Sequence, residues 1–395
     1  MILDFNFGRI PHIIFGVGRL NEIYNLIPKF GNNVLYVIGG TSLKRSGRWD
    51  EIVLAMQKSN INFSEISVNG EPTPTLVDGA VQKFKTQKID LIIGIGGGSV
   101  IDAGKAISAM LTKNDSIKNY LEGVGSKSHD GKKIPYIAVP TTSGTGSEAT
   151  KNAVITEVGI GGFKKSLRHD NLIPNYAIID PQLMLSCPRS ISASCGMDTF
   201  AQLLEAFVSP KATPITDALA ISGIKEVKSA IIPVCSDKAS DITLRGAMAY
   251  GSLMSGIALA NAGLGIVHGF ASSIGGLFNI PHGVVCGALL AESTKMNIKR
   301  LEQLGNEGKN GLFKHAIIGA LINGKENFQD INFRYYCTIL VDTLEYWTKK
   351  LNIDRLGRYG ITTTDIDNII ERTGLKSNPV HLKREDLNEI LVNCL

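Results

Sequence analysis

Asp198 and Gln202, in the stretch CGMDTFAQLLEAF (195–207), stand four residues apart. On a helix that spacing puts both side chains on one face. Two such groups can serve one metal ion, although helical metal pairs usually carry histidine and an amide oxygen is a poor donor to a transition metal. Two histidines follow, His268 and His282, each succeeded by glycine. Both lie in a stretch, Gly246 to Ala291, that holds no Asp, Glu, Lys or Arg. A lone buried histidine is more often a hydrogen-bonded core residue than a ligand. Two His-Gly steps in one apolar run keep ligation and core packing both open.

Three glycine-rich turns suggest a second kind of chemistry. IIGIGGGSVIDAGKA (92–106) sets Gly96, Gly97, Gly98 and Ser99 between a strand and a helix. Glycines let backbone amides approach a ligand, and the helix N-terminus favours phosphate. The spacing is not G-x-G-x-x-G, so a tight turn without a ligand is the other reading. VPTTSGTGSEAT (139–150) offers hydroxyls at Thr141, Thr142, Ser143, Thr145 and Ser147 after another strand. Two polar turns at the ends of parallel strands lie where open α/β sheets place ligands, and together they point to a dinucleotide.

The third turn, IGGTSLKRSG (38–47), holds Gly39, Gly40, Thr41 and Ser42, with Lys44 and Arg45 following. In dinucleotide folds this turn meets the adenosine ribose, where an acid would repel a 2′-phosphate. No acid stands there. NADP is therefore favoured over NAD, unless both basic side chains simply point into water.

These turns need a scaffold. NVLYVIG (33–39), IDLIIGIG (89–96), IPYIAVP (134–140) and NYAIID (175–180) read as strands, with helices over 47–58 and 100–111 between them. Continuous apolar strands alternating with helices indicate a parallel sheet covered on both faces. Beyond residues 181–188 the strand pattern stops and helices are expected at 196–208, 213–231, 240–262, 265–278 and 283–296. The fold class expected is a Rossmann-like α/β dinucleotide-binding domain, residues 1–183, followed by an all-helical domain, residues 184–395. Segment 304–336 reads either as a short helix pair or as loops.

Composition narrows the classes. The formal charge is +5, with 41 basic residues dispersed along the chain. No basic patch interleaved with aromatics appears, which argues against nucleic acid. Six cysteines (187, 195, 235, 286, 337 and 394) show no C-x-x-C pair, as expected in a reducing compartment. No basic region precedes an apolar run at the N-terminus, so no signal peptide is expected and the cytoplasm is the expected location. The uncharged stretch is broken by glycines, Pro281, Asn261 and Asn279, and is expected to be a buried helix pair rather than a membrane span of about 20 apolar residues.

The sequence resembles the iron-containing (group III) alcohol dehydrogenase family, within the wider superfamily that includes glycerol dehydrogenases. The stretches that carry the likeness are GEPTPT (70–75), GGGSVIDAGKAI (96–107), PTTSGTGSEAT with NAVIT (140–156), LIPNYAIIDP (172–181), GMD…E…S (196–209), GLGIVHG and IPHG. The resemblance implies a dinucleotide domain, a helical domain and a catalytic cleft between them. It also implies one divalent metal, iron or zinc, held by an Asp and three His. The matching positions are Asp198, Gln202, His268 and His282, so Gln202 replaces a histidine and a weakened site is expected. Ser272 stands where a further family histidine often follows the first by four residues.

The chemistry implied is reversible hydride transfer between a nicotinamide C4 and a small primary alcohol or aldehyde, with His268 and His282 serving it through the metal. By the same matching, Asn152 hydrogen-bonds substrate and Asp102 lies by the nicotinamide amide. Lys165 either falls near the cofactor or is solvated. Two rivals remain: a metal-independent reductase like the maleylacetate reductases, and a catalytically silent binding protein. A lyase like the dehydroquinate synthases would need more basic phosphate-binding residues in the helical domain. The expected partners are the small substrate and a second copy in a homodimer, with neither nucleic acid nor membrane.

Overall fold

The computed structural model describes residues 4–395. Two compact units divide the chain. One comprises Gly8–Glu157 with Gly162–Cys187, and the other Pro188–Leu395 with Val158–Gly161 and residues 4–7.

The α/β unit holds eight strands: β1 (His12–Phe15), β2 (Asn33–Gly39), β3 (Asn62–Val68), β4 (Leu91–Gly96), β5 (Tyr136–Pro140), β6 (Asn152–Glu157), β7 (Phe163–Arg168) and β8 (Tyr176–Ile179). Its helices are α1 (Glu22–Leu26), α2 (Ser42–Arg45), α3 (Arg48–Lys58), α4 (Pro74–Phe84) and α5 (Gly98–Met110). Six strands form a parallel sheet in the order β1-β8-β5-β4-β2-β3. The four apolar runs read from the sequence are β2, β4, β5 and β8. Alternate side chains of these strands enter separate cores. Leu35, Val37, Ile92 and Tyr136 pack with α4 and α5, while Tyr36, Ile38, Ile93 and Ile95 pack with Trp49 and Met56 of α3.

Strands β1 and β3 and the antiparallel β6–β7 hairpin were not anticipated. β1 and β3 are edge strands, so their residues are mostly half-buried and β3 mixes polar with apolar side chains. That mixture hides them from a search for apolar runs.

The strand order sets the ligand position. From β2 the chain moves outward to the edge strand β3, whereas from β4 it moves the other way to β5. Ligands of open α/β sheets bind outside the carboxyl ends of the strands where the winding reverses. Here those ends are Gly39 of β2 and Gly96 of β4.

The second unit is helical: α6 (Arg189–Val208), α7 (Pro214–Ala230), α8 (Ile242–Ala262), α9 (Ile266–Leu277), α10 (His282–Gln303), α11 (Lys309–Ile322), α12 (Phe333–Lys350), α13 (Ile366–Arg372) and α14 (Arg384–Cys394). The ambiguous segment 304–336 resolves into α11 and a loop that leads to α12. Thr213 caps α7 with a reciprocal bond to Thr216, and Asp241 caps α8 through the amides of Thr243 and Leu244. No single helix among the described residues is long and apolar enough to cross a membrane. α8 and α9 meet that test only as a pair bent by 96°. Most of their side chains are buried within the protein.

Candidate functional site

The helical unit gathers a buried polar cluster from three helices. Asp198 comes from the middle of α6, His268 from the first turn of α9 and His282 from the first residue of α10. Asp198 and His268 are buried, while the His282 side chain is 23% exposed. Asp198 Oδ1 lies 3.1 Å from His268 Nε2 and 3.7 Å from His282 Nε2. Glycine explains the two His-Gly steps. A Cβ on Gly269 would come 2.3 Å from the Gly374 carbonyl oxygen, and one on Gly283 would come 2.6 Å from the Ser194 carbonyl oxygen. Only a residue without a side chain lets α9 and α10 approach backbone this closely.

Two members of the site were missed by the sequence reading. Cys286, one turn along α10 from His282, places Sγ 3.6 Å from His282 Nε2 and 3.7 Å from His268 Nε2. The donor atoms of Asp198, His268, His282 and Cys286 all lie within 4.8 Å of one another. Glu205, two turns along α6 from Asp198, stands behind the ring. Its Oε2 lies 2.7 Å from His268 Nδ1, and its Oε1 accepts the Val267 amide at 2.7 Å. The spacings His-x3-Cys and Asp-x6-Glu were signals present in the sequence.

Gln202 is buried on the same helix, and its Oε1 lies 2.6 Å from Ser255 Oγ of α8. Ser272 donates to the His268 carbonyl at 2.8 Å and accepts from Lys376 Nζ at 3.2 Å.

The electrostatics favour positive charge in the cluster. Burial opposes ionisation of Asp198, but His282, His268 and Cys286 outweigh it and hold the carboxyl below its usual range. Burial likewise opposes a charged His268, yet Cys286, Asp198 and Glu205 raise it well above the ordinary imidazole range. The Cys286 thiol is pushed up to about 12, by burial first and then by Asp198. A carboxylate, two imidazoles and a sulfur suit zinc or iron, whereas magnesium and calcium want oxygen alone. The residues present therefore fit a divalent transition metal.

In the α/β unit, adjacent strands bring two of the three glycine turns together. Gly96 and Pro140 are register partners, and the Thr141 amide donates to the Gly96 carbonyl at 2.9 Å. A Cβ on Gly97 would come 3.4 Å from Thr142, and one on Gly98 would come 2.5 Å from Thr145. Gly97, Gly98 and Ser99 are half-buried at the start of α5, and no side chain caps that helix. The third turn, Gly39, Gly40, Thr41 and Ser42, leaves the neighbouring strand β2. Behind it Lys44 pairs with Glu65 at 2.6 Å, and Arg45 reaches the Thr41 hydroxyl.

Asp102 of α5 is buried. Its carboxylate accepts from the Ser147 hydroxyl and from the Val154 amide at 3.0 Å, and lies 3.5 Å from Lys105 Nζ. Lys105, fully buried, donates to the Ser147 carbonyl at 2.9 Å, Thr150 Oγ1 at 3.0 Å and the Asn152 carbonyl at 2.6 Å. These bonds tie the second turn to α5. Asn152 is half-buried at the start of β6 with Nδ2 3.4 Å from Ser166 Oγ. Lys165 is exposed on β7 opposite Ile155.

Comparison with known proteins covers both units. The model of the iron-containing alcohol dehydrogenases matches residues 11–181, and that of the C-terminal region of the Fe-containing alcohol dehydrogenase family matches residues 192–395. An NAD-dependent methanol dehydrogenase of Bacillus methanolicus is 29% identical over 99% of this chain and 100% of its own length. The 1-propanol dehydrogenase PduQ of Salmonella typhimurium is 36% identical over 69% of each chain. The solved structure of an alcohol dehydrogenase from Oenococcus oeni superposes with a TM-score of 0.86 at 26% identity, covering 99% of this chain and 100% of that one. The two family models meet this chain in order and nearly end to end, and the chain belongs to the iron-containing alcohol dehydrogenase family.

Proposed function

We propose that this alcohol dehydrogenase works on small primary alcohols and aldehydes with a nicotinamide dinucleotide, and that Asp198, His268 and His282 hold a divalent metal for it. The observation that carries the reading is the buried cluster itself: one carboxylate and two imidazoles from three helices converge within ligand distance, with Glu205 fixing one ring. In alcohol oxidation the carbon loses a hydride and the oxygen loses a proton. A divalent cation held here would supply Lewis acidity toward the substrate oxygen, and a bound nicotinamide would supply the hydride chemistry.

The chain's own groups do the rest. Asp198 balances cationic charge, and Glu205 holds the His268 ring so that Nε2 faces the cluster. The amides of Gly97, Gly98 and Ser99 at the start of α5 receive the pyrophosphate. Thr141, Thr142 and Thr145 add hydroxyls beside it, and Asn152 is assigned to the substrate. Asp102 and Lys105 keep that second turn in place. Gly39, Gly40, Thr41 and Ser42 face the adenosine ribose. No acid occupies that turn, and Arg45 beside it carries positive charge, which supports a preference for NADP over NAD.

The test is elemental analysis of the purified protein, coupled to oxidation of NADPH and NADH over a series of short aldehydes. Chelation is expected to abolish turnover, and added zinc or iron to restore it. Full activity in protein shown to be metal-free would replace this reading with a metal-independent reductase.

A further inference from the structure

Gln202 shares a helix with Asp198 but offers an amide, a poor donor to a transition metal, and the fold supplies another donor. We infer that Cys286, as thiolate, is the fourth ligand of the metal, with Gln202 left to its hydrogen bond from Ser255. This inference rests on the proposed metal-dependent reading.

Geometry carries the argument. Tetrahedral bonds of about 2.3 Å to sulfur and about 2.0–2.2 Å to nitrogen and oxygen set sulfur about 3.6 Å from nitrogen, and nitrogen about 3.4 Å from oxygen. Cys286 Sγ lies 3.6 Å from His282 Nε2 and 3.7 Å from His268 Nε2. Asp198 Oδ1 lies 3.1 and 3.7 Å from the same two nitrogens. These distances are four of the six edges of a tetrahedron with the sulfur at a corner, and all six donor separations are within 4.8 Å. The sulfur reaches it because His282 and Cys286 are one turn apart on α10 and so share a face. Gln202 Oε1, by contrast, is already engaged by Ser255 at 2.6 Å.

Charge agrees with geometry. Asp198 and a Cys286 thiolate would place both neutralising charges on the ion itself, with the Glu205 carboxylate held one imidazole further away. The thiol proton passes to solvent as the metal enters, and the partly exposed His282 side chain marks the open side of the cluster. Thiolate is a soft donor that selects zinc over iron, and zinc also stands above iron in intrinsic affinity. This chain is therefore assigned zinc, in a family named for iron.

The test uses the full-length protein loaded with cobalt(II) and, separately, with zinc. Wild-type cobalt protein is expected to show a thiolate-to-cobalt charge-transfer band, and X-ray absorption of the zinc protein one sulfur at about 2.3 Å. Cys286→Ala should lose the band and release zinc about tenfold faster or more, while Gln202→Ala should keep the band. Metal bound at one equivalent in wild type with no sulfur in its shell overturns the inference and leaves the dehydrogenase reading standing. A sulfur-ligated metal without turnover on any alcohol does the reverse. Because the X-ray measurement needs no variant, misfolding of Cys286→Ala cannot shelter the claim.

Discussion

Glu205 Oε2 lies 2.7 Å from His268 Nδ1 while Glu205 Oε1 takes the Val267 amide at 2.7 Å. One carboxylate thus caps the start of α9 and orients the ring that helix carries. Both oxygens are committed, so Glu205 can neither rotate nor leave without releasing the ring. Glu205→Gln keeps the volume and loses the charge. It should weaken metal affinity about 10- to 100-fold, with the far-ultraviolet circular dichroism unchanged. Competition with a chelating dye measures this, and an unchanged affinity would mean that the carboxylate serves only as a helix cap.

Gly98→Val should reduce NADPH and NADH affinity about tenfold or more. A Cβ there would come 2.5 Å from the Thr145 methyl and 2.6 Å from its hydroxyl, so the two phosphate-side turns must separate. Fluorescence titration reads the affinity, and a thermal melt reads the accompanying strain. Wild-type affinity in a folded variant would show that the turns hold the fold together and do not touch cofactor.

Gly39→Asp should shift the ratio of kcat/KM values toward NADH by about tenfold, because a carboxylate bonds the ribose hydroxyl and repels a 2′-phosphate. Space permits it, since a Cβ on Gly39 would come no closer than 3.4 Å to Val100. A wild type tenfold better with NADH would remove the basis for the NADP preference.

Glu148 gives a pH signature in stability. Burial first, then the charge of Asp102, raise its carboxyl to about 7 from 4.5, against the opposing pull of Lys105 and a backbone hydrogen bond. The folded chain therefore holds a proton that the unfolded chain has released between those values. That contribution is whole below about pH 4.5 and is lost as pH rises through about 7, a change on the order of 3 kcal/mol. Glu148→Gln mimics the protonated form. Urea unfolding at pH 5 and pH 8 should find the wild type losing more stability than the variant across that range. Parallel losses in both would place the titrating group elsewhere.

Legibility followed burial and chain proximity. β2, β4, β5 and β8 could be read because strands buried on both faces are apolar throughout. β1 and β3 could not, since an edge strand such as NFSEISV carries polar side chains that break the pattern. Asp198, His268 and His282 stood out by type and setting. Cys286 did not, because six scattered cysteines look alike until α10 is known to begin at His282 and turn its next residue of the same face inward. Glu205 was visible only as a letter in a motif. Its role depends on the start of α9, and sequence does not say which helix end lies beside α6. Asp102 meets Lys105 at the i,i+3 spacing of one helix, but its other partners, Ser147 and Val154, are reached by no spacing rule.

The pairing of β1 with β8 bears on how the protein is made. The Gly18 and Leu20 amides donate to Asp180 at 3.1 and 3.0 Å, across 162 and 160 residues of chain. His12 through Phe15 lie in register with Tyr176 through Ile179. Strand β1 therefore meets its partner only after about 160 further residues have been translated. At about 5–20 residues per second, that is a wait of roughly 10–30 seconds. Through this interval the nascent chain carries His12-Ile13-Ile14-Phe15 without its ladder, next to the exposed Ile10 and Val17. An unpaired apolar strand is a template for edge-to-edge pairing with other chains, so β1 is open to misassociation until β8 is made.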